Sequence, residues 1–304
     1  MPAAKMRYSP WLQALRWPFL VAMLVPVVLG AVLAYHLSGQ FNLWLFAQAV
    51  LAALGLHAAA NVLNDVRDAE TGADYLNSQP LTPFAGGSRV IQQARLSVQR
   101  MRQLGWALAL FGVLLGLGLV WQSGAGLFWL GLLGVVIGLG YSAGPYPLNY
   151  HGWGEVAIFL CFGPMAVSGS VYTQLGYFPV EGWLLGLVTG LLIMAIVLVN
   201  ELPDFPADKR AGKQTWVVLL GETRARWLLL AVLLCAFLVL LIGAVLALWP
   251  QTTLLALLAL PVAIMGWWQT PLQEPEPLSR VPGIKKIVLT PVLVMLLLTI
   301  GTLL

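Results

Sequence analysis

Charged residues are scarce in this chain of 304 residues: Asp, Glu, Lys and Arg together make up 9%, whereas 60% of the residues are hydrophobic. A soluble protein carries roughly 25% charged residues, and a water-soluble core of this size could not bury so much apolar surface. The composition therefore excludes a soluble domain and indicates a protein that lies in the lipid bilayer.

Cysteine and histidine are also sparse. The two cysteines, Cys161 and Cys235, lie in apolar runs, where they are expected to pack as small hydrophobic side chains. The three histidines are too few and too scattered to build a zinc site from protein ligands alone. These shortages exclude both a disulfide framework and a structural zinc centre.

Long apolar runs are abundant, and nine of them approach the roughly 20 residues that cross a membrane. They lie at about 17–36, 43–63, 104–121, 126–143, 155–173, 183–200, 227–248, 251–268 and 286–304. The predicted fold class is therefore all-α: a polytopic membrane protein with nine transmembrane helices. Short turns on one side of the membrane alternate with longer polar loops on the other, which are expected to form a cap.

All 16 basic residues lie in the N-terminal tail or in the loops on the same side of the predicted spans. Basic loops stay in the cytoplasm, so this distribution fixes the orientation. We expect a multi-pass protein of the inner (cytoplasmic) membrane, with the N-terminus and the cap loops cytoplasmic and the C-terminus outside.

Acidic residues are concentrated rather than spread. Seven of the 12 fall in two short segments, at 61–74 and 200–215, which follow predicted spans two and six. Four spans separate the segments, so we predict one membrane domain with two parallel repeats, at about 17–143 and 155–268. The ninth helix, at about 286–304, is additional. Parallel repeats in membrane proteins commonly enclose a site at their interface.

Asparagine and aspartate recur at intervals of four in both segments, which places them on one side of a helix. In the first segment, Asn64 precedes Asp68 by four residues, and the second segment repeats the interval from residue 200 to 208. Pro203 and Pro206 are expected to break the second helix. The acids of the second segment would then converge from a helix end and a loop.

Carboxylates crowded in this way repel one another, and divalent cations relieve the repulsion. Mg²⁺ takes oxygen ligands and usually brings substrate phosphates with it. The candidate metal ligands are Asn64, Asp65, Asp68, Asp74, Asn200, Asp204 and Asp208. Basic residues that could neutralise phosphate lie among them. The alternative is a pair of merely solvated acidic loops; the matching of two segments favours a diphosphate site.

The two segments resemble those of the intramembrane aromatic prenyltransferases, the UbiA superfamily, whose pattern is N-x-x-x-D-x-x-x-D twice. The second copy is complete at 200–208, whereas the first has Asn64 and Asp68, then Gly72, with its third acid at Asp74. This form of the first copy is similar to that of the 1,4-dihydroxy-2-naphthoate polyprenyltransferases of menaquinone synthesis. The segments PFAGGSRV, GPYPLNYHGWGE and DKRAGKQTWVVLLGE point to the same superfamily.

The resemblance implies a Mg²⁺-dependent transfer of a polyprenyl group from its diphosphate to an aromatic acceptor in the membrane. It implies catalytic roles for Asp68, Asp204 and Asp208 beside the leaving diphosphate. Substrate-binding roles are implied for Asn64, Arg67, Arg89, Tyr141, Tyr150, Asn200, Lys209 and Lys213. Naphthoate is the first choice of acceptor, and 4-hydroxybenzoate, homogentisate and a tetrapyrrole remain open. Neither nucleic acid nor an obligate protein partner is expected.

A membrane transporter or a lipid-binding protein is the alternative from another class. A carrier places charged coupling residues within its spans. The acidic and basic residues of this chain avoid the middle of every predicted span, and all of them except Glu181 gather at one membrane face. Their distribution favours the enzyme.

Overall fold

The computed structural model describes residues 9–77, 80–81, 85–271 and 277–304. Pro83 and Phe84, the first two residues of the PFAGGSRV segment, lie outside the described part. The described residues form helices joined by turns and loops. The principal helices are α1 (Trp17–Ser38), α2 (Leu43–Thr71), α3 (Val98–Ser123), α4 (Gly126–Gly140), α5 (Gly154–Leu175), α6 (Val180–Arg210), α7 (Glu222–Val245), α8 (Gln251–Trp268) and α9 (Leu278–Leu303).

The nine helices correspond in order to the nine predicted spans, which confirms the all-α membrane fold. Within the described residues, eight of them are long and apolar enough to cross a membrane. Helix α4 has 15 residues, which gives a length of about 22 Å against roughly 30 Å of hydrocarbon. The count of nine full spans therefore stays a prediction at α4.

Local sequence sets the helix ends. The side chain of Asn42 caps α2 by accepting a hydrogen bond from the Leu45 amide at 3.1 Å. The turn between α1 and α2 is made by Gly39, whose φ of 67° favours glycine. Both residues lie in the short turn predicted between the first two spans, which end at 36 and begin at 43.

Each acid-bearing helix packs extensively against the helix that follows it: α2 against α3, and α6 against α7. Glycines bring α2 and α3 close together. A Cβ placed on Gly105 would lie 2.7 Å from the Leu63 side chain, and one on Gly112 would lie 2.8 Å from Leu56. Small residues of this kind let helices approach closely in membranes. The same pairing in both halves orients the two acidic segments alike.

The expected helix break at Pro203 and Pro206 is wrong, because α6 continues through both residues to Arg210. A proline cannot donate a hydrogen bond to the carbonyl four residues earlier. For Pro206 that carbonyl is Leu202 O, and the buried Arg280 side chain donates to it at 3.0 Å. A neighbouring helix end thus satisfies the group that the proline frees. The acids of the second segment consequently lie along one continuous helix.

The first segment does turn at its end. Gly72 adopts a φ of 79° after Thr71 and stops α2. A single helical turn, Ala73–Leu76, follows and contains the buried Asp74. The third acid of the first segment therefore reaches the bundle from a turn, whereas that of the second comes from a helix.

Candidate active site

The two acidic segments face each other across a cavity of about 210 Å³ at one end of the bundle. Six of the predicted metal ligands lie in its wall: Asn64, Asp68, Asp74, Asn200, Asp204 and Asp208. Asp65 is buried beside them, with 2% of its surface exposed. The structure therefore brings all seven predicted metal ligands to one region.

Asp68 is the most highly connected of these carboxylates. Its Oδ1 atom lies 2.9 Å from Lys213 Nζ and accepts a hydrogen bond from Tyr150 OH at 2.7 Å. Its Oδ2 atom accepts from Asn64 Nδ2 at 3.2 Å. Because Lys213 Nζ also lies 3.4 Å from Asp208 Oδ1, one ammonium group joins the carboxylates of both segments.

Asp204 is held by groups from the other half of the chain. Its Oδ1 atom accepts a hydrogen bond from Asn77 Nδ2 at 2.7 Å. Its Oδ2 atom accepts from the Gly86 amide at 3.0 Å. The loop after α2 therefore orients an acid of α6.

The remaining acids of the first segment lie against the backbone of residues 86–88. The Ser88 amide donates to Asp65 Oδ2 at 3.1 Å, and Gln92 Nε2 donates to Asp74 Oδ2 at 2.8 Å. A Cβ on Gly87 would lie only 3.1 Å from Asp65 Oδ1 and 3.2 Å from Asp74 Oδ2, at a φ of 72°. Glycine at this position lets the backbone approach both carboxylates.

Of the four basic residues predicted to bind diphosphate, Lys213 lines the cavity. Arg89 instead donates a hydrogen bond to the backbone carbonyl of Asp74. The guanidinium of Arg67 lies over an aromatic ring beside the cavity, and Lys209 is exposed and lies over another ring. The structure therefore places one of the four predicted cations in the cavity wall, together with Arg16, which the sequence analysis did not assign to the site.

The two predicted tyrosines occupy different positions. Tyr141 lines the cavity. Tyr150 is 8% exposed. Its hydroxyl contacts Asp68 and lies 2.6 Å from Thr71 Oγ1, and Lys213 Nζ lies 5.0 Å from the centre of its ring. Tyr150 therefore orients Asp68 and Lys213 from the side, while Tyr141 can touch a ligand.

Three polar residues of this network were missed by the sequence analysis: Asn77, Ser142 and Asn149. Asn149 Nδ2 donates to Asn64 Oδ1 at 2.6 Å, and Ser142 Oγ donates to the same atom at 3.0 Å. Asn149 lies in the GPYPLNYHGWGE segment, which was noted only as a family signal. Asn77 and Ser142 carry no pattern, since their contacts arise from the packing of distant loops.

Burial and charge set the protonation of the groups in the loops. Burial, together with the nearby charges of Asp68 and Asp65, raises the pKa of Asp74 to about 8. Burial lowers the pKa of Lys213, but the carboxylates of Asp68 and Asp208 outweigh it and raise that pKa well above its usual value. The site thus holds a permanent ammonium and, without a bound cation, a protonated Asp74 at neutral pH.

The donor set fits a hard divalent cation that is shared with a phosphate. Among the described residues, no group of three His, Cys, Asp or Glu side chains forms a metal site by itself. Mg²⁺ does not require one, because it binds through one or two carboxylates plus substrate phosphates. Asp65 Oδ1 and Asn200 Oδ1 are buried oxygens without a hydrogen-bond partner, and buried polar atoms of this kind normally have one. Asn200 Oδ1 is therefore available to a cation, whereas Asp65 Oδ1 already lies 3.9 Å from the guanidinium of Arg16.

A second cavity, of about 320 Å³, adjoins the first and lies among α2, α3, α4 and α5. Its wall is almost entirely apolar, with side chains such as Leu56, Val113 and Met165. The two cavities share wall residues on α2, α4 and α5. A polar chamber rich in carboxylates therefore opens into an apolar one.

Comparison with known proteins connects the whole bundle to one family. The sequence model of the UbiA prenyltransferase family matches residues 23–280. The 2-carboxy-1,4-naphthoquinone phytyltransferase of Synechocystis is 29% identical over 259 residues, which cover 84% of this chain and 80% of that protein. The 1,4-dihydroxy-2-naphthoate octaprenyltransferase of Mycobacterium tuberculosis is 32% identical over 221 residues, 73% of each chain.

The fold has a solved counterpart. A UbiA homologue from Archaeoglobus fulgidus, bound to GPP and Mg²⁺, superposes with a TM-score of 0.69 at 15% sequence identity. The superposition covers 95% of this chain and 99% of that one. The likeness establishes a shared arrangement of helices.

Proposed function

The chain belongs to the UbiA prenyltransferase family, and on that premise we propose that it transfers a polyprenyl group from a polyprenyl diphosphate to an aromatic acceptor. We further propose that the acceptor is 1,4-dihydroxy-2-naphthoate, so that the reaction is a step of menaquinone synthesis. One observation carries the proposal: a carboxylate chamber with Lys213 in its wall opens directly into an apolar cavity. A prenyl diphosphate is a molecule with one polar and one apolar end of this kind.

The diphosphate end belongs in the carboxylate chamber. Asp68, Asp204 and Asp208, with Asn64 and Asn200, would hold Mg²⁺ together with the diphosphate. Bound Mg²⁺ supplies positive charge that stabilises the leaving diphosphate. Asp65 and Asp74 complete the predicted ligand set from the loop side.

The ammonium group of Lys213 acts on the same end of the donor. Lys213 Nζ is shared between two carboxylates at 2.9 and 3.4 Å, so it can donate to a phosphate oxygen while keeping the shorter contact. A fixed donor aimed at developing negative charge lowers the barrier in a dry site. The allylic C–O bond breaks with its electron pair on the diphosphate, and the aromatic carbon forms the new C–C bond. The attacked carbon then loses its proton to water, or its carboxyl group as carbon dioxide where it carries one, and the electron pair of that bond restores the aromatic ring.

The apolar end of the donor belongs in the second cavity. Its wall offers almost no polar group, so the polyprenyl chain gains the free energy of apolar burial there. The same wall excludes water, which would otherwise attack the allylic carbon as its bond to the diphosphate breaks.

The proposed acceptor comes from the relatives. Proteins at 29% and 32% identity are named for naphthoquinone or naphthoate substrates. The structure adds that Tyr141 lines the polar chamber, where its side chain can contact the acceptor. The alternatives 4-hydroxybenzoate, homogentisate and a tetrapyrrole are distinguished by experiment.

The protein is a multi-pass membrane protein, and we propose that the carboxylate chamber opens toward the cytoplasm of a bacterial inner membrane. The support is the one-sided distribution of basic residues. After replacement of Cys161 and Cys235, a cysteine at Gln214 should react with an impermeant thiol reagent only in opened cells, and one at Ser123 in intact cells. Labelling of Gln214→Cys from outside would reverse the proposed orientation.

The function is tested with purified protein, Mg²⁺, one polyprenyl diphosphate and a panel of the four acceptor classes. We expect release of diphosphate together with prenylated naphthoate in equal amounts, and no release without acceptor or after Mg²⁺ is removed by a chelator. If another member of the panel is prenylated and naphthoate is not, the proposed prenyl transfer stands and the proposed acceptor is wrong. No product with any acceptor would contradict the proposal.

A further inference from the structure

The junction between the two cavities is formed by five residues that line both: His57, Ala60, Gly138, Cys161 and Phe162. Four of them present carbon, hydrogen or a thiol. His57 is the one member of this set whose side chain has nitrogen or oxygen. The wall that joins the polar chamber to the apolar cavity therefore carries a single imidazole.

His57 is buried without being satisfied by the protein. It is 8% exposed, and its Nδ1 atom is buried with no hydrogen-bond partner. Leaving a buried polar atom unpaired costs free energy, and such atoms in native proteins call for an explanation. A ligand that enters the junction and pairs with the ring would supply one.

The ring is held in a fixed orientation. Phe162 packs against it edge to face, with ring centroids 4.7 Å apart and planes at 88°. Phe162 belongs to a π-helical turn, Cys161–Met165, that interrupts α5. A Cβ on Gly163 would lie 2.5 Å from Gly186 O, so this turn is pressed against α6 and cannot shift easily. Single π-helical turns of this kind frequently occur at functional sites.

The proposed function makes this junction the place of reaction. The allylic carbon lies between the diphosphate, which occupies the polar chamber, and the polyprenyl chain, which occupies the apolar cavity. The attacking aromatic carbon must reach the allylic carbon there, at a distance of roughly 3–3.5 Å before bond formation. The substituents of the acceptor ring then lie beside His57.

We propose that His57 binds a hydroxyl group of the aromatic acceptor and so selects hydroxylated rings and orients them for attack. The inference rests on the proposed function. An imidazole nitrogen with a free lone pair accepts a hydrogen bond from a ring hydroxyl. That contact increases the electron density of the ring, and it fixes which ring carbon faces the allylic group.

The test compares steady-state kinetics for acceptor and donor in purified wild type, His57→Leu and His57→Gln, with His36→Leu as the matched control. His36 is exposed and lines neither cavity. For His57→Leu we expect kcat/KM for the acceptor to fall about tenfold or more, as for loss of a buried hydrogen bond. The donor KM should change less than about threefold. Gln, which keeps a hydrogen-bonding side chain, should recover part of the loss, and His36→Leu should match wild type.

A change on the substrate side keeps the inference testable if His57→Leu folds poorly. Wild type is compared with His57→Gln and His57→Leu on 1,4-dihydroxy-2-naphthoate and on its two singly O-methylated forms. Wild type should discriminate against one methyl ether, and His57→Leu should lose that discrimination. His57→Gln, which carries the test if His57→Leu folds poorly, should discriminate less than wild type. Unchanged discrimination, or equal effects on acceptor and donor, would show that His57 only packs in the wall. If wild type prenylates no acceptor, it is the proposed function that fails.

Discussion

The two acidic segments carry the same four-residue interval but reach the site differently. The first leaves its helix at Gly72 and presents Asp74 from a separate turn, whereas the second continues as one helix to Arg210. The loop after the first segment supplies amide donors, from Asn77 and the backbone at 86–88, and the second segment supplies the ammonium of Lys213.

Each segment is completed by the other. Asp68 of the first is paired with Lys213 of the second, and Asp204 of the second accepts from Asn77 and the Gly86 amide in the loop after the first. Neither half could therefore hold its acids in place alone. The comparison teaches that two segments with the same spacing build one site, and that each depends on contacts from the other half of the chain.

The largest effect is expected from removing one carboxylate charge in either segment. Asp68→Asn and Asp204→Asn should each lower turnover at least about a hundredfold, because metal and diphosphate lose a ligand at the reacting end. The measurement is prenyl transfer at saturating Mg²⁺. A tenfold loss of turnover corresponds to roughly 1.4 kcal/mol of barrier. If only one of the two variants keeps more than about a tenth of wild-type turnover, the two segments do not contribute equally.

The next effect compares Lys213, which lines the chamber, with Lys209 and Arg89, which do not. Lys213→Gln should lower kcat/KM for the donor roughly ten- to hundredfold, since charged hydrogen bonds contribute about 1.5–3 kcal/mol. Lys209→Gln is the matched control on an exposed side chain, and it should change that constant less than about threefold. Arg89→Gln should fall between them, because Arg89 contacts the backbone of Asp74 rather than the cavity. Equal effects at Lys209 and Lys213 would contradict the placement.

The third effect concerns pH and sharpens the role of the turn that follows Gly72. Since the pKa of Asp74 is raised to about 8 without metal, Mg²⁺ must displace a proton at neutral pH. Apparent Mg²⁺ affinity should therefore rise about tenfold between pH 6.5 and 7.5 and level off above pH 8. Calorimetry in two buffers of different ionisation enthalpy would count the released proton. Asp74→Asn should flatten this dependence, and an unchanged slope in that variant would assign the proton to another group.

The smallest effect concerns the continuity of α6. Arg280→Met removes the donor to Leu202 O and leaves Glu222 without its partner at 3.0 Å, so the midpoint of thermal unfolding in detergent should fall by roughly 5 °C. Pro206→Ala restores a backbone donor for the same carbonyl. The double variant should therefore unfold at a higher temperature than Arg280→Met alone, and a further decrease would contradict this account.

Much of this architecture could be predicted from sequence because membrane solvation leaves a strong signal. Apolar runs and one-sided basic residues predicted the helices and their order, and the four-residue intervals predicted which acids face together. The continuity of α6 could not be predicted, since it depends on Arg280, a residue 74 positions after Pro206. The prediction that four basic residues bind diphosphate treated all of them alike, whereas only the fold distinguishes Lys213 from Lys209.

The account's central claim is that the two segments form one shared site, and Mg²⁺-dependent binding of a non-reactive prenyl diphosphate analogue tests it most directly. Binding is measured for wild type, Asp68→Asn and Asp204→Asn, with and without Mg²⁺. The account predicts that Mg²⁺ strengthens binding to wild type and that either single variant loses this strengthening completely. If Mg²⁺ strengthens binding of the analogue to either variant as much as it does to wild type, a single segment suffices, and the shared site is contradicted.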